Sequence, residues 1–518
     1  MKQKGYRRME EYILEMKGIT KVFGSLVADD CVNFNLRRGE VHALLGENGA
    51  GKTTLMNVLY GIYHADGGEI FYKGKKIELE NSRDAIRAGI GMVHQHFMLV
   101  PPMTVLENII LGQSDNLKRV DLKTPREKVA ELCDTYGLQL DLDEKVSNLS
   151  VGEQQRVELI KALYRGAEIL ILDEPTAVLT PNEVKELFVI LKQFVKQGKS
   201  IILISHKLWE VKRISDRCTV LRSGKLIGTV NTCDVEEGDM ASMMVGKKVT
   251  LKYNKTPVLS DEPILKVDKM SAKGLNLAST LKEISFEIKK GEIVGIAGVD
   301  GNGQNTLGNA LMGLMPISGG TISFDGTDIT NMPTRDRLKE GFSFIPEDRM
   351  TQGLVMDFTL SENYILDRYE TAPFTTKNIF FHSNAVCDYG EKLTKEYDVR
   401  PDDTEAYAKS LSGGNQQKVI LARVLSSNPK LIIAMQPTRG LDIGASEFVH
   451  ERLLQVKQKK AGVLLISADL DEILAVADRV LVINEGHFMG EFVPGAITYE
   501  KIGLMMGGMK QEAEEVNA

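Results

Sequence analysis

Cysteine and tryptophan are scarce in this chain of 518 residues, which contains five cysteines and one tryptophan. The cysteines are widely separated and form no Cys-x-x-Cys pair, so the sequence indicates neither a disulfide framework nor a zinc site. Long apolar runs are also missing. The runs at 201–204 and 463–466 are far shorter than the roughly 20 residues that a membrane-spanning helix needs. We therefore expect a protein of a reducing compartment with no membrane span.

An excess of charge of one sign is likewise absent. The 64 basic and 71 acidic residues leave a formal net charge of -7, which provides no overall attraction to nucleic acid or to an anionic membrane. Residues 1–8 are basic, but acidic residues follow and no apolar stretch appears, so we expect no secretory signal. Hydrophobic residues make up 43% of the chain, which is ordinary for packed globular domains. We expect several such domains and no nucleic-acid partner.

The sequence contains two copies of one unit. The segment RRGEVHALLGENGAGKTTL near the start returns as KKGEIVGIAGVDGNGQNTL in the second half, so that Gly46 corresponds to Gly298. Further along, Asp173 corresponds to Met435. The repeat predicts one domain over 11–245, a polar linker over 246–262, a second domain over 263–508 and an acidic tail over 509–518.

Each copy alternates short β-branched runs with helical patterns, which predicts an α/β fold with a mainly parallel sheet. In the first copy VHALL precedes a glycine-rich loop, EILILDE reads as a buried strand, and SIILISH follows an amphipathic helix. The region 104–165 is less strand-like, and we interpret it as a helical insertion. The prediction is therefore two tandem P-loop domains, each with a sheet core and a helical lobe.

A phosphate-binding loop is predicted at GENGAGKT, which matches G-x-x-x-x-G-K-[ST] between a strand-like and a helix-like run. Glycines let backbone N–H groups close around phosphate oxygens, the lysine adds positive charge, and the threonine hydroxyl can ligate magnesium. The residues expected at ATP or GTP are Gly46, Glu47, Asn48, Gly49, Ala50, Gly51, Lys52, Thr53 and Thr54.

Acidic and basic groups follow two other buried runs. Asp173 and Glu174 end EILILDE, where one carboxylate can hold magnesium through water and the next can polarise an attacking water. His206 ends SIILISH, where it can reach a γ-phosphate. Taken alone, a histidine at such a position is more often a structural residue. Upstream of both runs and after the P-loop lies LSVGEQQ, which returns in the second copy as LSGGNQQ.

These motifs, in this order, resemble the nucleotide-binding subunit of ABC transporters: a P-loop, a glutamine after GMVH, an LSGG-like segment, ILDEP and a strand-terminal histidine. The resemblance covers nearly the whole chain, twice. It implies that Phe23, which by itself is equally typical of a core aromatic, stacks on adenine, and that Gln95 meets magnesium and senses the transporter. It also implies that Glu174 is the general base and that His206 contacts the γ-phosphate.

The same resemblance implies a composite site. In the ABC family two domains pair head to tail, and each ATP lies between the P-loop of one domain and the LSGG segment of the other. The first P-loop is then expected to receive ATP contacts from Ser412, Gly413, Gly414, Asn415 and Asp442 of the second copy.

The second copy has lost the charged residues of the first. In place of Lys52, Thr53, Gln95, Asp173, Glu174 and His206 it carries Gln304, Asn305, Glu347, Met435, Gln436 and Ala468. A neutral amide supplies no cation, and methionine is a poor partner for magnesium, so we expect no hydrolysis there. Conversely, the first copy has Val151 within LSVGE and Thr180 at the position of Asp442. We predict one hydrolytic site, with the second P-loop either binding nucleotide passively or serving only as structure.

An ATPase of this kind with no membrane span must act on a separate permease. The resemblance implies a bacterial importer with two permease subunits and an external solute-binding lipoprotein, and a chain at the cytoplasmic face of the membrane with ATP and Mg²⁺ as cofactors. The segments GVDGNGQ, FIPEDR and QPTRGLDIG resemble purine nucleoside importers, with ribose and galactose importers as the alternative. The apolar segment HFMLVPPMTV is either a permease dock or buried core.

A different class of function is a soluble tandem ATPase without a permease, such as a translation or DNA-repair factor. Such proteins typically keep both catalytic glutamates and carry a basic linker or zinc modules, whereas this chain has Gln436 and a short linker. A P-loop kinase is a further alternative that leaves LSGGN unexplained.

Overall fold

The computed structural model describes residues 12–94, 97–112, 122–176, 179, 181–246, 253, 255, 257–258, 260–376 and 380–510. The chain forms two compact units, Met1–Val249 and Thr250–Ala518. Two described residues of the predicted linker pack on the second unit: the hydroxyl of Tyr253 lies 3.1 Å from Nδ1 of His450, and Lys255 donates to two carbonyls. Within the described ranges no helix has the length and apolar character of a membrane span.

The first unit is built from two sheets and a group of helices. Its strands are β1 Tyr12–Phe23, β2 Leu26–Arg37, β3 Val41–Leu45, β4 Gly67–Tyr72, β5 Lys75–Ile77, β6 Ile90–Val93, β7 Ile169–Asp173, β8 Ser200–Ile204, β9 Arg217–Arg222 and β10 Lys225–Asn231. Its helices are α1 Lys52–Leu59, α2 Ser82–Arg87, α3 Val105–Ile110, α4 Lys123–Tyr136, α5 Val151–Tyr164, α6 Pro181–Lys196, α7 Leu208–Ile214 and α8 Glu237–Val245.

The central sheet has the order β10-β9-β3-β8-β7-β6, in which the five strands from β9 to β6 are parallel and β10 is antiparallel. Its inner strands β3, β7 and β8 are buried along their whole length, as expected for a parallel sheet covered on both faces. Alternate side chains enter different cores, because successive residues of a strand point to opposite faces. Ile169 and Ile171 pack toward α1, whereas Leu170 and Leu172 pack toward the helices of the insertion.

The predicted helical insertion is confirmed, since the described part of 104–165 consists mainly of α3, α4 and α5. A second, antiparallel sheet with the order β2-β1-β4-β5 was not predicted. Its strands are half-exposed and irregular: the β1–β2 pairing shifts register four times between Tyr12 and Val22. Such strands lack the continuous apolar runs that reveal the parallel sheet in the sequence.

The second unit repeats this architecture. Its strands are β11 Pro263–Ala272, β12 Leu281–Lys289, β13 Ile293–Ala297, β14 Gly319–Phe324, β15 Thr327–Asp328, β16 Phe342–Ile345, β17 Thr375–Thr376, β18 Phe380–Phe381, β19 Leu431–Met435, β20 Gly462–Ser467, β21 Arg479–Asn484 and β22 His487–Phe492. Its helices are α9 Gln304–Met312, α10 Thr334–Glu340, α11 Leu360–Tyr364, α12 Ser383–Glu396, α13 Gly413–Leu425, α14 Ile443–Gln458, α15 Leu470–Val476 and α16 Tyr499–Met506.

The sheets of the second unit have the orders β16-β19-β20-β13-β21-β22 and β12-β11-β14-β15, and a short hairpin pairs β17 with β18. A π-type turn, Arg349–Gly353, follows β16. Of the predicted acidic tail, residues 511–518 lie outside the described part of the chain. The prediction of two tandem α/β domains, each with a mainly parallel sheet and a helical insertion, is therefore confirmed.

Candidate nucleotide site

The functional side chains of the first unit converge at one edge of its parallel sheet. Strands β3, β8 and β7 are neighbours, so their carboxyl ends meet at the same edge. The P-loop follows β3, His206 comes shortly after β8, and Asp173 ends β7 with Glu174 directly after it. Distant parts of the sequence are thereby brought around one loop.

Glycine is required in the P-loop for steric reasons. At Gly51, where φ is 102°, an added Cβ would lie 2.6 Å from the carbonyl oxygen of Ala28. At Gly46 it would lie 2.6 Å from the carbonyl oxygen of Leu221. Helix α1 begins directly after Gly51, so its first N–H groups point toward the loop. No side chain caps them, as in helix termini that bind phosphate.

Lys52 is a buried cation inside this loop. Its ammonium donates hydrogen bonds to the carbonyl oxygens of Gly46 at 2.8 Å and Glu47 at 2.9 Å. Burial lowers the pKa of Lys52, while the carboxylates of Glu174 and Asp173 act in the opposite direction. The side chain therefore holds a donor group at the position where phosphate oxygens would enter. Thr53 is exposed and Thr54 half-buried next to it.

The two carboxylates after β7 have different environments. Burial, together with the charge of Glu174, raises the pKa of Asp173 to about 6. Burial also favours a higher pKa for Glu174, but a hydrogen bond from His206 and nearby lysines outweigh it, and its pKa lies below the usual value. Nδ1 of His206 is 2.9 Å from Oε1 of Glu174. Glu174 is therefore ionised near neutral pH and able to accept a proton.

Of the remaining residues singled out in the first unit, the structure describes Phe23 but not Gln95 or Thr180. Phe23 lies at the end of β1 with 41% of its surface exposed, and its ring contacts Tyr63 edge to face at 5.2 Å between centroids. It is a surface aromatic and no part of the core. Gln95 and Thr180 lie outside the described residues.

In the second unit neutral groups occupy the corresponding positions. Gln304 is buried, and its amide nitrogen donates to the carbonyl oxygen of Val299 at 3.0 Å. Met435 packs against α9, since a Cβ on Gly308 would lie 2.3 Å from its sulfur. Gln436 accepts a hydrogen bond at 3.2 Å from the backbone N–H of Ala468. The second P-loop region is held together by packing and by amide hydrogen bonds, among them one of 3.3 Å from Gln436 to Oδ1 of Asp300, without a buried cation.

The two LSGG-like segments differ in how their helices are capped. In the first unit Ser150 and Glu153 form a capping box: the Ser150 hydroxyl accepts from the N–H of Glu153, whose carboxylate accepts from the N–H of Ser150. In the second unit Ser412 makes no side-chain cap to α13, and its hydroxyl accepts from the amide of Asn415 at 3.1 Å. A helix start that carries no carboxylate is the better receptor for a phosphate.

Asp442 lies beside this open helix start within the second unit. A Cβ on Gly414 would be 3.9 Å from Oδ2 of Asp442 and 3.3 Å from Cβ of Ala445. The carboxylate of Asp442 caps α14 by accepting the N–H of Ala445 at 2.7 Å. The structure thus brings Asp442 and the LSGGN segment together, with Asp442 engaged as a helix cap.

Asp29 is a residue of this site that the sequence analysis missed. It is fully buried, neither of its carboxylate oxygens has a hydrogen-bond partner among the described residues, and burial raises its pKa to about 7. A Cβ on Gly51 would contact Oδ1 of Asp29, so the carboxyl group lies directly behind the P-loop. Comparison of the two copies could have revealed Asp29, because the corresponding residue of the second copy is the apolar Leu281.

Substitution of Asp29 should change how stability depends on pH. The folded-state pKa of about 7 lies above the ordinary value of 3.8, so the folded state binds the proton more tightly and the free energy of unfolding falls as the pH rises through this range. Asp29→Asn carries no charge to bury. Its stability gain over the wild type should grow by about 2 kcal/mol between pH 5.5 and pH 8.

Denaturant unfolding at the two pH values measures this difference. Asp30→Asn is the matched control, because Asp30 is the exposed neighbour of Asp29 and pairs with Lys225 at the surface. An advantage of Asp29→Asn that is the same at both pH values would contradict the assignment of a buried, unpaired carboxyl group.

Known proteins are similar to this chain over nearly its whole length. The ABC transporter family model matches residues 30–177 and 281–439, once in each unit. The guanosine import ATP-binding protein of Bacillus subtilis (strain 168) is 47% identical to this chain over 509 residues, covering 98% of this chain and 100% of that protein. The nucleoside import ATP-binding protein of Lactococcus lactis subsp. cremoris is 46% identical, with 96% and 98% covered.

A glucose import ATP-binding protein of Haloferax volcanii is 43% identical, with 96% of each chain covered. Among solved structures, an archaeal ribosome recycling factor in complex with a ribosomal stalk protein has a TM-score of 0.59 at 20% identity, covering 90% of this chain and 87% of that one. At this identity the likeness concerns the fold alone. From the two family matches, the full-length relatives and the site geometry, we conclude that this chain is an ATP-binding ATPase of the ABC transporter family.

Proposed function

We propose that this chain is the ATP-hydrolysing subunit of a bacterial importer for purine nucleosides such as guanosine. The observation that carries the proposal is the charged cluster of Lys52, Asp173, Glu174 and His206 in the first unit, with neutral residues at the same positions of the second. Support for the solute comes from the relatives named for guanosine and nucleoside import at 47% and 46% identity over nearly the full chain.

The proposed mechanism begins with capture of ATP by the first P-loop. Phe23, an exposed aromatic, stacks on adenine, and the ammonium of Lys52 exchanges its two carbonyl partners for phosphate oxygens. Mg²⁺ fits the donor set, since the exposed Thr53 hydroxyl and, through water, the carboxylate of Asp173 provide hard oxygen donors; Gln95, which lies outside the described residues, would add an amide oxygen. When bound, the ion neutralises charge on the phosphates.

Hydrolysis then depends on Glu174. Its ionised carboxylate accepts a proton from the attacking water, whose oxygen bonds to the γ-phosphorus while the bond to the β-phosphate oxygen breaks, giving ADP and phosphate. His206 keeps this carboxylate in place through the hydrogen bond of 2.9 Å to Oε1.

We propose further, from the family resemblance, that the LSGGN segment of the second unit completes the ATP site of the first. The capping difference supports this assignment: Ser412 and the first N–H groups of α13 are not occupied by a carboxylate, whereas Glu153 caps α5. Hydrogen bonds from a helix start and a hydroxyl to an ionised phosphate contribute about 1.5–3 kcal/mol each.

The proposed partners are two permease subunits and, outside the membrane, a solute-binding lipoprotein, with this chain at the cytoplasmic face. Met98 is 65% exposed, and Pro101 and Pro102 are exposed as well, so these residues are available as a permease dock, whereas Leu99 packs against the core of the helical insertion. The second candidate function is import of a monosaccharide, which the 43% identity to a glucose import ATP-binding protein favours.

Substitution of the charged residues should separate the two P-loops. Lys52→Ala and Glu174→Gln should each lower the ATPase rate by about 10²-fold or more, because a phosphate-binding cation or a positioned base is lost. The counterparts Gln304→Ala and Gln436→Ala should stay within a few-fold of the wild type. Steady-state ATPase assays on the full chain test this, and inactivity of the Gln304 or Gln436 variant would refute a single hydrolytic site.

The composite site predicts unequal effects of two equivalent serines. Ser412→Arg should suppress turnover about 10²-fold, because its bulk prevents closure over the ATP held by Lys52. Ser150→Arg should be milder, since its helix would face the P-loop around Gln304. Thermal unfolding verifies that both variants are folded. If Ser150→Arg lowers the ATPase rate more than Ser412→Arg does, the hydrolytic site does not pair the first P-loop with the LSGGN segment of the second unit.

The solute can be tested by uptake. Cells that express this subunit with its permease should accumulate labelled guanosine or inosine, and Lys52→Ala should abolish that accumulation because transport requires hydrolysis at the first P-loop. Competition with unlabelled pentoses and hexoses is the control. Uptake that only sugars compete away would replace the nucleoside assignment with the monosaccharide one.

A further inference from the structure

The loop after β16 of the second unit contains an arginine in direct contact with the LSGGN segment. We propose that Arg349 is a positioning residue that joins this loop to Gly413 and to the turn at 439–442, and so fixes the shape of LSGGN for ATP hydrolysis. The inference rests on the proposed function in one respect, namely that LSGGN completes the ATP site of the first unit.

The guanidinium of Arg349 lies against two other stretches of chain, the turn before α14 and the start of the LSGGN helix. Its Nη1 donates to the carbonyl oxygen of Arg439 at 2.8 Å. Its Nη2 lies 2.8 Å from the position that a Cβ on Gly413 would occupy, and 3.5 Å from the corresponding position on Gly440. Arg349 itself opens the π-type turn Arg349–Gly353, so the loop, the LSGGN helix start and the turn before α14 meet at one side chain.

The backbone around Arg349 is held in place by the preceding residue, Asp348. The carboxylate of Asp348 accepts the backbone N–H groups of Met350 at 2.8 Å and Thr351 at 3.2 Å, and the Thr351 hydroxyl at 2.6 Å. These bonds close the π-type turn and fix the direction in which Arg349 leaves the backbone. π-type turns are rare and frequently lie at functional sites.

A second link runs parallel to the first. Glu347, the counterpart of Gln95, forms an ion pair with the side chain of Arg439. The loop is thereby bonded twice to the turn before α14, once through the Arg439 backbone and once through its side chain. The position that the family resemblance assigns to contact with magnesium in the first copy therefore forms a structural ion pair in the second.

The first copy shows that the arginine and the glycine belong together. Its counterpart of Arg349 is Phe97, and its counterpart of Gly413 is Val151, which is 40% exposed. A side chain at position 413 would need the space that the guanidinium fills, whereas the copy without the arginine tolerates valine there. The intact LSGGN sequence therefore includes a glycine for reasons beyond contact with ATP.

Loss of Arg349 should affect turnover more than nucleotide binding. The first P-loop holds ATP through Lys52 and its backbone, far along the sequence from Arg349, whereas Ser412 directly precedes Gly413. Small displacements of a group that acts on the transition state cost up to about 10²-fold in rate.

The first experiment compares Arg349→Ala with the wild-type full chain. We expect kcat to fall about tenfold, while the Kd for a fluorescent ATP analogue and the thermal midpoint stay near wild-type values. Arg349→Lys keeps one donor and should be intermediate. Arg335→Ala is the matched control, because Arg335 is an exposed arginine of the same unit that pairs with Glu370. An unchanged kcat in Arg349→Ala would overturn the inference.

The second experiment is a double-mutant cycle with Gly413→Ala, read by kcat and by thermal midpoint. The added methyl group meets the guanidinium in the wild type and meets no guanidinium in Arg349→Ala, so Gly413→Ala should reduce kcat about tenfold in the first background and less than about threefold in the second. Additive effects would overturn the inference even if single variants lose stability.

The two proposals fail separately. If Ser412→Arg abolishes turnover while the Arg349 variants and the cycle show no effect, the composite site stands and the positioning role is wrong. If Ser412→Arg leaves turnover intact, the composite site is wrong, and the positioning role for hydrolysis is overturned with it.

Discussion

Burial of one positive charge governs the first unit. The ammonium of Lys52 sits inside the P-loop with 6% of the residue exposed, and a buried cation needs anionic or carbonyl partners. The strand order provides anionic partners, because Asp173 and Glu174 at the end of β7 lie at the same edge of the sheet as the P-loop. In the second unit Gln304 removes the charge, which removes the need for carboxylates, so methionine and glutamine at 435 and 436 are tolerated.

The helix starts of the two LSGG-like segments show the same division in another form. In α5 the carboxylate at the third helical position belongs to Glu153. It stabilises the start of the helix because it accepts the backbone N–H of the capping residue Ser150. Asn415 at the same position of α13 leaves that helix start less complete on its own. When the first N–H groups of a helix are not capped by a side chain of the same helix, they can donate to an external anion. The first unit therefore combines a charged P-loop with a carboxylate-capped helix, and the second combines a neutral P-loop with an LSGGN helix that has no carboxylate cap.

Much of the site could be predicted from the sequence, because phosphate chemistry fixes residue types at short spacings: the P-loop, Asp173, Glu174 and LSGGN are all contiguous motifs. The antiparallel sheet could not be predicted, since its irregular strands carry no strong period. Asp29 and Arg349 were missed for another reason. Their importance comes from contacts across the fold, with Gly51 and Gly413 respectively, which local patterns do not encode.

One backbone detail bears on the history of the second unit. Glu174 and Gln436 both adopt a left-handed conformation, with φ of 47° and 45°, which costs a residue other than glycine about 1 kcal/mol or more. The second unit still bears this cost although an amide stands where the first unit has its proposed general base. At this position the side chain was exchanged while the main chain kept its conformation, so the two copies differ here in chemistry and not in backbone geometry.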